Sequence, residues 1–161
     1  MKIALGADHG GYRLKSEINN FLIAEGYSTT DFGTYTSEPC DYPAFAYKVA
    51  KAVSGKKVDV GLLICKSGNG MAMAANKLPG VRAAICFDKN VAMLSRQHND
   101  ANILVLGSEH LFDEPELIVR AWLESEFEGG RHKRRVAQIN RIEKKVCPSK
   151  KNPSARKAKK S

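Results

Sequence analysis

Cys65 closes an apolar run that begins at Val58, and Lys66-Ser67-Gly68-Asn69-Gly70-Met71 follows at once. Glycines at such a junction let consecutive backbone N–H groups turn toward one point, and a helix start adds partial positive charge there. The natural occupant is an anion, either a phosphate or an oxyanion formed during reaction. The spacing matches neither a Walker A loop nor a G-x-G-x-x-G fingerprint. A thiol beside such donors is favoured as thiolate, able to act as nucleophile or as proton-abstracting base. Ser67 is placed to hydrogen-bond the sulfur or a substrate hydroxyl. The bland alternative is an ordinary turn shaped by glycine.

Three further groups carry chemistry. Asp8-His9-Gly10-Gly11 offers a carboxylate and an imidazole for hydroxyls, protons or phosphate; a helix cap with a surface histidine is its alternative. Ser95-Arg96-Gln97-His98-Asn99-Asp100 is unusually polar for a segment entering a buried strand and suits sugar hydroxyls and acid–base work, or a mere helix exit. In Gly129-Gly130-Arg131-His132-Lys133-Arg134-Arg135, Arg131 and Arg135 share a face if the segment is helical. Two guanidinium groups there make a phosphate clamp, a solvated basic face or a nucleic-acid patch.

The elements that must position these groups read as alternating strands and helices. Strands are expected at Lys2–Ala7, Tyr27–Phe32, Val58–Cys65, Val81–Phe87 and Asn102–Leu106. Helices are expected at Tyr12–Glu25, from Pro43 to Val53, at Met71–Lys77, Asp88–Gln97 and Pro115–Glu126. This alternation predicts an α/β fold: a Rossmann-like three-layer α/β/α sandwich around a five-stranded parallel sheet. Ligands in such folds sit outside the carboxyl ends of the strands at a switch in strand order. Asp8, His9, Cys65 and His98 are accordingly expected along one sheet edge.

The chain has 161 residues, 43% of them hydrophobic and 27% charged, as expected of one globular domain. The opening MKIALGADHGG does not suit a secretory leader, and no run reaches a membrane span, so a cytoplasmic protein is the expectation. Cys40, Cys65, Cys86 and Cys147 form no C-x-x-C pair, which leaves zinc and redox motifs without support and free thiols as the default. Cys86, inside VRAAICF, fits a buried inert thiol. The net charge of +9 is uneven: residues 131–161 carry thirteen Lys/Arg against Glu143 alone, leaving −3 on the first 130 residues. A domain over 1–145 and a basic, disordered tail over 146–161 are expected.

Together these segments resemble the ribose-5-phosphate isomerase B family, in the wider group that includes galactose-6-phosphate isomerase subunits. The likeness covers about residues 1–145. It rests on ADHGGYRLK, on DYP at Asp41–Pro43, on CKSGNG with the later AANK, on LSRQHNDANILVLG and on GGRHKRRV, in one order. It implies aldose–ketose isomerisation of ribose 5-phosphate and ribulose 5-phosphate in the pentose phosphate pathway, with no metal and no organic cofactor. Carried over by position, Cys65 resembles the base moving a proton between C1 and C2. His98, with Asp8, resembles the group that opens the furanose, and Ser67 one that orients thiolate or substrate. The N–H groups of Gly68, Asn69, Gly70 and Met71 would hold the enediolate, His9, Arg131 and Arg135 the phosphate, and Asn99 a sugar hydroxyl. The resemblance also implies a homodimer or tetramer with sites shared across the interface.

Some branches of the family carry a glutamate base a few residues later; here Met71-Ala72-Met73-Ala74 holds no acid, which favours cysteine. Two departures stand out. Glu109 occupies a place where many relatives have arginine, and would repel phosphate unless paired with Arg131 or Arg135. Lys66 stands where glycine is common. A galactose- or allose-6-phosphate isomerase is the alternative within the group. A nucleic-acid-binding module acting through the tail and a nucleotide-binding sensor are the alternatives outside it, although the acidic body shows no RNA-recognition motif.

Overall fold

The computed structural model describes residues 1–146. Its five strands are β1 (Lys2–Ala7), β2 (Ser28–Asp31), β3 (Val60–Cys65), β4 (Ala83–Ile85) and β5 (Ile103–Gly107). The helices are α1 (Tyr12–Ala24), α2 (Tyr42–Ser54), α3 (Asn69–Ala75), α4 (Lys89–Asn99), α5 (Pro115–Glu124) and α6 (Gly130–Val146). The strands form one sheet in the order β2-β1-β3-β5-β4, every pair parallel. The expected α/β/α architecture is therefore present. The basic tail from Cys147 lies outside the described residues.

Two apolar layers flank the sheet. On one face Ile3, Leu5, Leu62, Ile64 and Leu104 pack with Ile18, Leu22, Ile118 and Trp122, from α1 and α5. On the other, Ala4, Leu63, Cys65 and Val105 meet Val49, Val53, Met71 and Ala75, from α2 and α3. Every residue of β3 is buried, as its unbroken apolar run requires of a strand covered on both sides.

Two strands are shorter than the apolar runs suggest, for identifiable reasons. β3 starts at Val60 because Asp59 closes the sheet end with its neighbour: its carboxylate accepts the Lys2 N–H at 2.7 Å and its own N–H donates to the Lys2 carbonyl at 2.9 Å. β4 spans only Ala83–Ile85 because it is an edge strand. There the Asn76 amide pairs with both the N–H and the carbonyl of Ala83, and the Asn102 side chain accepts the Arg82 N–H at 2.8 Å. Side chains thus cover edge groups that a ladder would otherwise use.

Strand order reverses between β1 and β3: the chain leaves β1 toward β2 on one side and leaves β3 toward β4 on the other. This switch point sits where Ala7 pairs with Ile64, immediately before Asp8 and Cys65.

Candidate active site

Cys65 is 5% exposed at the carboxyl end of β3, beside Gly107 at the end of β5. The chain then turns sharply through Gly68, whose φ of 80° is a left-handed conformation that glycine adopts without strain. The turn aims the Gly68 N–H at the Cys65 sulfur, 3.2 Å away. The Ser67 hydroxyl accepts the Asn69 N–H at 3.4 Å. The N–H groups of Gly70 and Met71 fall in the first turn of α3, ahead of any acceptor within that helix. Of the four donors expected to hold an oxyanion, one therefore serves the sulfur, one leans on Ser67, and Gly70 and Met71 remain available. The Met71 side chain is fully buried, so only its backbone can take part.

The Asp8–Gly11 loop lies against this turn. A Cβ at Gly11 would stand 2.2 Å from the Ile64 carbonyl oxygen, so the loop reaches β3 only with glycine at that position. Asp8 is buried, its N–H donates to the Ile64 carbonyl at 3.3 Å, and its carboxylate accepts the Gly11 N–H at 3.0 Å. The His9 Nδ1 accepts the Cys40 N–H at 3.2 Å. That bond leaves the ring proton on Nε2, which can donate to an anion. The Tyr42 ring lies where a Cβ of Gly70 would be, 2.5 Å from Cζ. Tyr42 was legible only as part of Asp41–Pro43, and it forms a wall of this site.

His98 does not join Cys65 within the chain, contrary to the expectation of a single edge. α4 starts at the carboxyl side after β4 and runs back to the amino side before β5. His98 and Asn99 therefore precede Ile103, whereas Cys65 lies beside Gly107 at the far end of the same strand. Arg131 and Arg135 share a face of α6, both exposed, in the same region as His98. The two halves are chemically complementary: a thiol with N–H donors at one edge, imidazole and guanidinium groups at the other.

His132 and Glu128, not singled out in the sequence, complete the second half. The His98 and His132 rings stack with centroids 4.1 Å apart and planes within 3°. One Glu128 carboxylate oxygen lies 3.8 Å from Nε2 of each. Burial, the adjacent His98 and the Arg131 guanidinium hold His132 below the usual histidine range. The available signal was the i,i+4 spacing of Glu128 to His132 and of His132 to Val136, hidden inside a basic run.

The two departures pair with each other. The Lys66 ammonium lies 3.6 Å from a Glu109 carboxylate oxygen, so within the chain Glu109 pairs with Lys66. A groove of about 680 Å³ lies away from Cys65; Leu78, Val81, Ile139 and Ile142 line it between α6 and the turn before β4.

These features agree with the similarities of the chain to known proteins. The model of the ribose/galactose isomerase family matches residues 3–139. Ribose-5-phosphate isomerase B of Escherichia coli K12 is 48% identical over 145 residues, covering 89% of this chain and 97% of that protein. The structure of Clostridium thermocellum ribose-5-phosphate isomerase B aligns with a TM-score of 0.88 at 52% identity, covering 91% of this chain and 99% of that one. The Mycoplasma genitalium ribose-5-phosphate isomerase B, solved with ribulose 5-phosphate bound, aligns with a TM-score of 0.85 at 42% identity, covering 89% and 96%. With its sheet, its strand-end thiol and a match over most of its length, the chain belongs to the ribose/galactose isomerase family.

Proposed function

We propose that this chain interconverts ribose 5-phosphate and ribulose 5-phosphate through an enediolate, at sites built jointly by two copies. The observation that carries the reading is the Cys65 sulfur at the β1/β3 switch point, facing a turn of N–H donors with Asp8 and His9 alongside. The relatives named as ribose-5-phosphate isomerases, one holding ribulose 5-phosphate, support the choice of sugar.

In this scheme the cyclic sugar first opens, with His98 and Asp8 handling the protons of the anomeric hydroxyl and the ring oxygen. The Cys65 thiolate then takes the C2 proton. The electrons form the C1–C2 double bond, and the negative charge passes to oxygen. The Gly70 and Met71 N–H groups receive that charge, each donor of this kind contributing about 3 kcal/mol to the transition state. The O2 hydroxyl proton passes to O1, and the same thiol returns its proton to C1, giving the ketose. Ser67 steadies thiolate or substrate. The His9 Nε2–H, with Arg131 and Arg135, binds phosphate, and Asn99 binds a sugar hydroxyl.

Within one chain the His98 group and the Cys65 group lie at opposite sheet edges, so a second copy supplies the missing half. Ile139, Ile142 and Val146 on α6 are exposed apolar residues that assembly would cover. We assign the protein to the cytoplasm and to the pentose phosphate pathway. The free thiols of Cys40, Cys65 and Cys86 fit a reducing compartment. Among the described residues no helix is long and apolar enough to cross a membrane.

The test is conversion of ribose 5-phosphate to ribulose 5-phosphate by purified protein with EDTA present. Cys65→Ala and Cys65→Ser are expected to lose about 10³-fold in kcat, within the range for removing a general base. Full activity in both variants, or a wild type inert on pentose phosphate and active on hexose 6-phosphates, would contradict the proposal.

A further inference from the structure

His98 does not stand alone. Its ring lies flat against that of His132, which is 5% exposed in the first turn of α6. Glu128, in the segment between α5 and α6, faces both rings at 3.8 Å. That segment is pinned to α4, because the Glu128 N–H donates to the Gln97 carbonyl at 3.0 Å, one residue before His98. The arrangement is thus held by backbone and by packing, although Glu128 itself is half exposed.

The hydrogen-bond pattern shows how the pair handles a proton. The Arg131 Nε–H donates to His132 Nε2 at 3.3 Å, so that nitrogen is an acceptor and the His132 proton sits on Nδ1. Two imidazolium rings 4.1 Å apart would repel, and Arg131 and Arg135 on α6 oppose a charge on His132. At the end of α4, Asp100 is shared between Arg82 at 2.7 Å and Arg96 at 3.5 Å, so it supplies no free negative charge to the rings. Glu128 is the carboxylate that faces both rings. Among the described residues these three are the one cluster whose ligand atoms, within 4.8 Å of one another, could hold a metal ion. Ring planes parallel within 3° do not converge on a single ion, however, and the geometry suits a shared proton better.

We propose that Glu128 and His132 are positioning residues for His98: the stack fixes the plane of its ring, and the carboxylate, facing Nε2, orients the proton that the ring delivers. This rests on the reading of His98 as the ring-opening group. The step balances. The His98 imidazolium gives its proton to the ring oxygen O4 as the C1–O4 bond breaks. The resulting neutral ring takes the O1 hydroxyl proton, which the Asp8 carboxylate orients, as C1=O1 forms, so His98 ends as it began and Asp8 and Glu128 neither gain nor lose a proton.

Ribulose 5-phosphate allows a clean test. Its C5 oxygen carries the phosphate, so this ketose cannot close a furanose. Exchange of its C1 hydrogen with solvent deuterium needs the thiol chemistry but no ring opening. The experiment compares two rates in wild type, Cys65→Ala, Glu128→Gln and Glu128→Asp: turnover of ribose 5-phosphate, and deuterium wash-in at C1 of ribulose 5-phosphate. For Glu128→Gln we expect turnover to fall about tenfold or more while wash-in stays within about threefold, as a lost proton-positioning group predicts. Glu128→Asp should recover part of the turnover. Equal losses in both rates, or no loss in either, would overturn the inference while leaving the thiol chemistry standing. Wash-in that survives Cys65→Ala would instead overturn the reading of Cys65 itself.

Discussion

Two buried thiols show how strongly position decides chemistry at the scale of single residues. Cys86 is fully enclosed in the core, and burial pushes it up to about 11, so at neutral pH it stays a protonated apolar side chain. Cys65 is almost as covered but stands at a strand end, where the Gly68 N–H reaches its sulfur. The same scale explains the paired departures at Lys66 and Glu109. Both side chains are more than half exposed, so their ion pair contributes little to stability. Its consequence is electrostatic, since the acid partly cancels a cation next to the thiol turn. Glu109→Gln should therefore lower KM for ribose 5-phosphate about two- to fivefold at low salt, with the gain shrinking at 0.5 M salt; steady-state kinetics at the two ionic strengths checks it. An unchanged KM would place the pair outside the phosphate's reach.

At the scale of elements, most of the fold was legible because β3 is apolar without a break and the helices carry their buried residues at helical spacing. The start of β4 was not, because the side chains of Asn76 and Asn102, seven and twenty residues away, take the outward N–H groups of Ala83 and Arg82. The edge occupied by His98 could be deduced from connectivity alone: a helix after β4 must return to the amino side before β5. The polar composition of residues 95–100 points to chemistry without showing this direction. The burial of His132 depends on α6 packing across α4, which local sequence does not encode. That burial has a pH signature. Its folded-state pKa lies below the unfolded value of 6.5, so the unfolded chain binds more protons near that pH and stability falls as pH drops below 6.5. Wild type should lose more stability than His132→Phe between pH 7.5 and 5.5, read from urea midpoints. The α1–β2 contact offers a second check. Lys15 is 1% exposed and ion-paired with Asp31, so Asp31→Ala leaves a buried cation without its partner. A loss of about 3 kcal/mol in urea unfolding is expected, against a much smaller change for Lys15→Met, which removes the charge itself.

At the scale of the whole molecule, charge and chemistry are divided. The first 130 residues are net acidic, and the basic groups gather in the segment from Arg131 onward, where α6 carries the proposed phosphate ligands. In the proposed scheme each chain contributes the thiol group from one sheet edge and the histidine–arginine group from the other, so closed two-fold pairing of copies would complete two sites at once. The central claim is that Cys65 of one copy works with His98 of another. The most direct measurement is complementation: co-expressing Cys65→Ala with His98→Ala, each inactive alone, and assaying ribose 5-phosphate isomerisation by the mixed oligomers. Half of randomly assembled dimers would pair the two variants, and each of those holds one intact site, so about a quarter of wild-type activity should return. Activity no higher than that of either variant alone would contradict the account and place both residues in a site built by a single chain.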